Sequence, residues 1–340
     1  MGRMGDATRT VPCDAVAVSS IIETTGLVME FPSTRALDGL DLRVSPGVTG
    51  LVGANGAGKT TLISLALGLL KPTSGGISVL GLDPSADGPQ LRAMIGYGPE
   101  RNVFPDDMVA YDYVRHFAQI RGLPRDEARS RASDSLYLVG LGEERFRALG
   151  TMSTGQRQRV KLAQAIAADP RLIVLDEPTD GLDPVQRDEM LAIIVDVNRK
   201  FGIDVMLSSH VLEEVERICD NVIALDAGRL VAQGSLDELA GALGGVDVEI
   251  VEVADRRDSI DLVAQRLVAG GWTVARRDPG LTVTGENDEE VFDAVVRAVA
   301  DSGARIGRLG RRRRTLDDVF TNERGDSSDR PSTARTGGTE

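Results

Sequence analysis

An α/β fold with a largely parallel sheet, followed by a smaller α+β unit, is what this sequence predicts. Three observations predict it. Apolar runs of strand length (Val48 to Val52, Leu172 to Leu175, Ile203 to Leu207) alternate with helical stretches such as Pro184 to Arg199 and Val211 to Asp220. Strands buried on both faces by crossover helices read this way. The first run opens into Gly53-Ala54-Asn55-Gly56-Ala57-Gly58-Lys59-Thr60 and then into another apolar stretch, Leu62 to Leu70. That is G-x-x-x-x-G-K-[ST] in the strand-then-helix setting a phosphate-binding loop requires. From Val246 onward, shorter strands and helices follow in the order βαββαβ, the ferredoxin-like split arrangement.

Taken in order, residues 1–19 read as a loose, disordered leader. A strand-rich region, Ile21 to Val44, is expected to form an antiparallel part of the sheet. Pro72, Ser74, Gly75 and Gly76 predict a turn into a strand from Ile77 to Leu80. Residues 106–150 carry helical periodicity, with Pro124 in a tolerated first turn and Asp126 and Glu127 near the positive helix end. A helix from Gly155 to Ala168 is stopped by Asp169-Pro170. In the second unit, strands Val246 to Val253, Trp272 to Ala275, Leu281 to Thr284 and Ala304 to Leu309 frame helices Ser259 to Ala269 and Asp288 to Ala300. Asn287 is the expected cap of the latter helix. The arginines from Arg311 to Arg314 read chiefly as a solvated edge, and residues 323–340 as a disordered tail.

Composition narrows the function. The 340 residues have room for about two domains. A net charge of −13 argues against a general nucleic-acid binder, which needs a basic stripe. Leu62 to Leu70, the longest apolar stretch, is interrupted by Ser64 and Gly68 and is far too short to span a bilayer. Two cysteines, Cys13 and Cys219, build no disulfide framework, which suits a reducing cytoplasmic home. Arginine greatly outnumbers lysine, which occurs only at Lys59, Lys71, Lys161 and Lys200. With abundant Ala, Gly and Asp, this reads as a GC-rich bacterial composition.

The chemistry resides in few residues. The loop glycines Gly53, Gly56 and Gly58 let backbone N–H groups turn inward around phosphate oxygens, with Asn55 and Thr61 in the same stretch. Lys59 reaches the outer phosphates and the Thr60 hydroxyl can ligate magnesium. Leu172 to Leu175 ends in Asp176-Glu177 at the strand end where ligands sit in α/β sheets. Asp176 is placed to hold magnesium, and Glu177 to polarise an attacking water. His116 lies in an amphipathic stretch and reads as an ordinary helix residue.

Further motifs stand in a fixed order: Met152-Ser153-Thr154-Gly155-Gln156, then Glu177-Pro178-Thr179-Asp180-Gly181-Leu182-Asp183-Pro184, then Ser208-Ser209-His210. Together with the phosphate loop they resemble the ATP-binding subunit of ABC transporters, over roughly residues 20–240, with a helical lobe at about 101–160. Met152 and Thr154 replace the leucine and first glycine of the family signature, while Ser153 and Gly155 are retained. The resemblance implies ATP and Mg²⁺ as ligands, with Gly155, Gln156 and Asp183 among the nucleotide-binding residues, and a head-to-tail homodimer in which the signature Ser153 acts on the partner's nucleotide. It implies that Phe31 stacks on adenine and that His210 contacts the γ-phosphate. Where the family has a magnesium-contacting glutamine, this chain has Glu100, which still suits a hard cation but cannot donate as an amide does.

The C-terminal unit, residues 246–322 with Leu316 to Phe320 near its end, resembles the tail of ABC-2 exporter ATPases, including those of drug and antibiotic self-resistance. The expectation is an ATPase, peripheral on the inner face of the cell membrane, that powers a separate membrane-spanning permease. A soluble ATP-driven switch is the alternative.

Overall fold

The computed structural model describes residues 20–101, 103–242, 246–252, 258–277, 280–285, 287–304 and 306–312. The leader, the residues from Arg313 on and the tail lie outside them. The chain divides into two compact units. One holds the residues up to His210 together with Leu225–Leu230, and the other holds Val211–Ala224 and everything from Val231 on.

The first unit runs β1 (Ile22–Phe31), β2 (Thr34–Val44), β3 (Val48–Val52), α1 (Lys59–Ala66), β4 (Ser74–Val79), α2 (Gly88–Met94), β5 (Ile95–Gly98), α3 (Ala110–Ile120), α4 (Arg125–Leu138), α5 (Thr154–Ile166), β6 (Leu172–Asp176), α6 (Pro184–Phe201) and β7 (Asp204–Ser209). It contains two sheets. An antiparallel one has the order β2-β1-β4. Ser74 to Gly76 already belong to β4, where a turn is expected from sequence, because Ser74 and Gly76 pair with Val28 and Thr25 of β1. Cross-strand pairing overrides the turn preference of these small residues.

The second sheet carries the parallel strands β5, β6, β7 and β3 in that order. It ends in β8 (Asn221–Asp226) and β9 (Arg229–Ser235), represented in this unit by the hairpin Leu225–Leu230. Every residue of β3 and of β6 is buried, as strands covered on both faces must be. Fully burying each such valine, leucine or isoleucine contributes about 1.5–3 kcal/mol. Helices α3 and α4, with the start of α5, form a helical layer whose core includes Val114, Ala132, Leu136 and Val160.

The α5 helix begins one residue earlier than the glycine suggests. Ser153 caps it: its side chain accepts from the Gln156 N–H while the Gln156 side chain accepts from the Ser153 N–H, a reciprocal capping box. Asp183 caps α6 with a single bond, accepting from the Gln186 N–H at 2.9 Å.

The second unit contains α7 (Leu212–Ile218), α8 (Leu236–Ala242), β10 (Val246–Glu252), α9 (Asp258–Ala269), β11 (Thr273–Arg277), β12 (Gly280–Gly285), α10 (Asp288–Ser302) and β13 (Ile306–Arg312). The last four strands make an antiparallel sheet in the order β11-β12-β10-β13. Ile260, Val263 and Leu267 of α9 and Val291 and Val295 of α10 pack with Leu281 and Val283 of β12 into one apolar core. Asn287 caps α10 by accepting from the Glu289 N–H, and Gly303 ends it in the left-handed region.

Candidate functional site

The register of the parallel sheet brings four chain segments level at its C-terminal edge. Val52 pairs with Ser209, Asp176 with Ser208, and Gly98 with Leu175. The residues that follow these strand ends, the Gly53 loop, Pro99-Glu100, Glu177 and His210, therefore emerge side by side, the location that open α/β sheets use for ligands.

The loop after β3 turns into α1 at Gly58, which has a φ of +105°. A Cβ there would stand 2.7 Å from the Ala36 carbonyl oxygen and 2.8 Å from Leu37, so both the conformation and the space demand glycine. Lys59 follows, buried, with its ammonium folded over the loop and donating to the Gly53 carbonyl at 2.6 Å. The first turn of α1 presents its unpaired N–H groups beside this ammonium, an anion-attracting combination.

Asp176 and Glu177 diverge in role because their backbones diverge. Asp176 closes β6 in the extended conformation and is buried, whereas Glu177 has a φ of +49°. Asp176 Oδ1 accepts from the Ser208 hydroxyl at 2.6 Å, and Oδ2 lies 3.5 Å from the Thr60 hydroxyl. The same Ser208 oxygen accepts from the Glu177 N–H at 2.9 Å. One hydroxyl on β7 thus orients both acids. The Glu177 carboxylate has one oxygen 2.9 Å from His210 Nδ1 and the other 3.8 Å from the Lys59 ammonium.

Asn55, Gly56, Gly58, Lys59, Thr60, Thr61, Glu100, Asp176, Glu177 and His210 line one open cleft of about 710 Å³, whose wall Thr34, Ala36, Ala54 and Asp180 complete. Gly53 contributes its carbonyl to Lys59 from beneath. Phe31, at the exposed end of β1, is not part of that wall, nor are Ser153, Gly155, Gln156 and Asp183. The Gln156 side chain is engaged by the capping box and by Glu144, to which it donates at 2.6 Å.

Sequence reasoning passes over three residues here. Ser208 and Asp180 stand inside the quoted motifs, but only the pairing of β6 with β7 reveals what Ser208 does. Lys161 leaves a signal of its own, a rare lysine between Val160 and Leu162 on the buried side of α5. Burial pushes its ammonium down to about 8, against the opposing pull of Asp176, Asp180 and Glu100. The Tyr97 phenol on β5 is pushed up to about 12 by burial, with Asp176 and Glu100 adding to the effect.

A glycine-gated phosphate loop opening a helix, a strand-end acid pair and a histidine beyond the neighbouring strand define a phosphate-loop nucleoside triphosphatase. Comparison with known proteins narrows the class. Residues 37–180 match the family model described as ABC transporter. The chain is 33% identical over 308 residues to the daunorubicin resistance ATP-binding protein DrrA3 of Streptomyces coeruleorubidus, covering 90% of this chain and 96% of that one. It is 36% identical over 223 residues to the methionine import ATP-binding protein MetN of Mesorhizobium japonicum, covering 64% of this chain and 61% of that one. Among solved structures, it matches cbiO1 from Clostridium perfringens, described as part of the ABC transporter complex cbiONQ. That match has 32% identity and a TM-score of 0.59, covering 65% of this chain and 90% of that one. The protein belongs to the family of ABC transporter ATP-binding proteins. It is an ATPase of that family, homologous to the ATP-binding proteins of drug resistance.

Proposed function

We propose that this chain hydrolyses ATP to drive a separate membrane-spanning subunit of an ABC-2 type exporter whose cargo is a drug, an antibiotic or a lipid-like molecule. The daunorubicin resistance relative supports export, its match extending over 90% of this chain and 96% of that one. Among the described residues no helix is long and apolar enough to cross a membrane. The transport path is therefore assigned to a partner chain, with this subunit peripheral on the cytoplasmic face.

The observation that carries the catalytic reading is the Ser208–Asp176–Glu177–His210 cluster beside Lys59. Glu177 acts as general base: its carboxylate, held between His210 and Lys59, accepts the proton of the water that attacks the γ-phosphate. Lys59, the backbone from Gly53 to Gly58, Asn55 and Thr61 bind the phosphates. Phe31 offers a face to adenine.

Thr60, Asp176 and Glu100 supply oxygen donors alone, the set a hard divalent cation prefers, and Asp176 and Thr60 already approach each other. A magnesium ion bound by these residues would offset charge on the phosphates. Ser153, Gly155, Gln156 and Asp183 lie outside the cleft of their own chain, which supports a head-to-tail homodimer in which they serve the partner's nucleotide. The βαββαβ unit is read as a ferredoxin-like accessory or dimerisation domain.

Replacing Glu177 by glutamine keeps shape and removes basicity. Turnover is expected to fall by about 10²–10⁴-fold with ATP binding retained. Near-normal hydrolysis by Glu177→Gln would remove Glu177 from this role.

A further inference from the structure

Lys161 is buried at 5% exposure, yet its ammonium is placed against main chain rather than against a carboxylate. It donates to the Pro99 carbonyl at 2.6 Å and to the Glu100 carbonyl at 3.1 Å, the two peptide oxygens that follow β5. Close approach of α5 to β5 makes this reach possible. A Cβ on Gly96 would strike the Ala165 carbonyl oxygen, one helical turn beyond Lys161, so only glycine lets the helix lie this near the strand. The contact is costly to build, because a buried ammonium is disfavoured unless its donors are satisfied. A leucine or alanine at this position of α5 would avoid that cost.

From this geometry we infer that Lys161 is a positioning residue that clasps the Pro99-Glu100 segment to α5, fixing where the Glu100 side chain enters the cleft. Two features give the clasp its consequence. Glu100 lines the nucleotide cleft although its segment is irregular, so sheet pairing alone does not hold it. The α5 helix that carries Lys161 also begins at the Ser153 cap, eight residues or roughly 12 Å away along the axis. A movement of that helix is therefore transmitted to Glu100 through the ammonium. The inference rests on the ATPase reading of the cleft but concerns a contact outside it.

The test uses the full-length chain with Lys161→Met, which keeps the stem and removes the donors, and Lys161→Arg, which restores them, each alone and with Glu100→Gln. Lys161→Met is expected to lower kcat about 10–100-fold, with the Kd of a fluorescent ATP analogue changed far less, the usual range for loss of an outer-shell partner. Lys161→Arg should recover much of the loss. In the Glu100→Gln background the same change should cost distinctly less, because the two residues act as a unit. Amide hydrogen exchange of the segment after β5 should rise in Lys161→Met while β6 and β7 keep their protection.

Equal losses in both backgrounds, or unchanged exchange after β5, would overturn the clasp. The exchange measurement decides even if the unmodified protein hydrolyses no ATP, an outcome that would overturn the catalytic reading instead.

Discussion

Ser208 shows how much of the site depends on one hydroxyl. It donates to Asp176 and accepts from the Glu177 N–H, and it does so beneath a residue held at positive φ. A non-glycine residue in that region stores about 1–3 kcal/mol of strain, which the surroundings must offset. Ser208→Ala leaves a carboxylate oxygen and an N–H without this partner, at about 1–3 kcal/mol per unsatisfied group. ATPase activity is expected to fall about 10–100-fold, as for other outer-shell losses, with a lowered Tm and an intact fold by circular dichroism. Unchanged turnover would show that Asp176 and Glu177 orient themselves. The sequence singles out Lys59, Thr60, Asp176 and Glu177 by residue type and motif and His210 by resemblance, and in the structure all five line one cleft. Ser208 gains its meaning only from strand register, and Lys161 only from the distance between a helix and a loop.

At the scale of elements, two segments carry separate expectations. The stretch after Glu100 holds Val103, 82% exposed, and Phe104, whose ring meets Tyr113 edge-on at 5.1 Å between centroids. An exposed valine and a half-buried phenylalanine close to Glu100, a residue of the cleft wall, suit a docking surface for the permease. Phe104→Asp is therefore expected to uncouple transport while sparing basal ATPase activity. Failure of the variant to bind ATP would instead place Phe104 in the lobe's core.

The second segment is the start of β7. Burial raises the Asp204 carboxyl above its usual 3.8, against the lowering effects of the Gly47 N–H bond and of Arg171. A carboxyl raised on folding costs stability while ionised. The cost is full above the folded value and disappears as pH falls through that value toward the unfolded one. Asp204→Asn keeps an acceptor for Gly47, so its Tm should exceed the unmodified protein's at pH 7, with the gap closing as pH falls into the acid range. A gap independent of pH would point away from the charge. One cap declares its helix in the sequence, Asn287 at the start of α10, whereas the Ser153-x-x-Gln156 capping box that begins α5 is passed over for the glycine after it. The extent of β4 was not, because its pairing with β1 decides it.

Across the whole molecule, the order β5-β6-β7-β3 joins positions far apart in the chain, and no local pattern encodes that order. The same holds for β11-β12-β10-β13 in the second unit. Assembly of two copies is tested by mixing a Ser153→Arg protomer with a Lys59→Ala protomer. In a head-to-tail dimer one site then carries both defects and the other carries none, so part of the ATPase activity should return on mixing. No recovery is expected if each chain acts alone. The pairing of Asp176 with Ser208 also gives nucleotide binding a second meaning. A sheet slipped by one residue would turn Ser208 away from Asp176 and dismantle the cleft. Only correctly threaded molecules would then be rescued by ATP through mass action. For this protein, the ligand doubles as an inspector of its own binding site's construction.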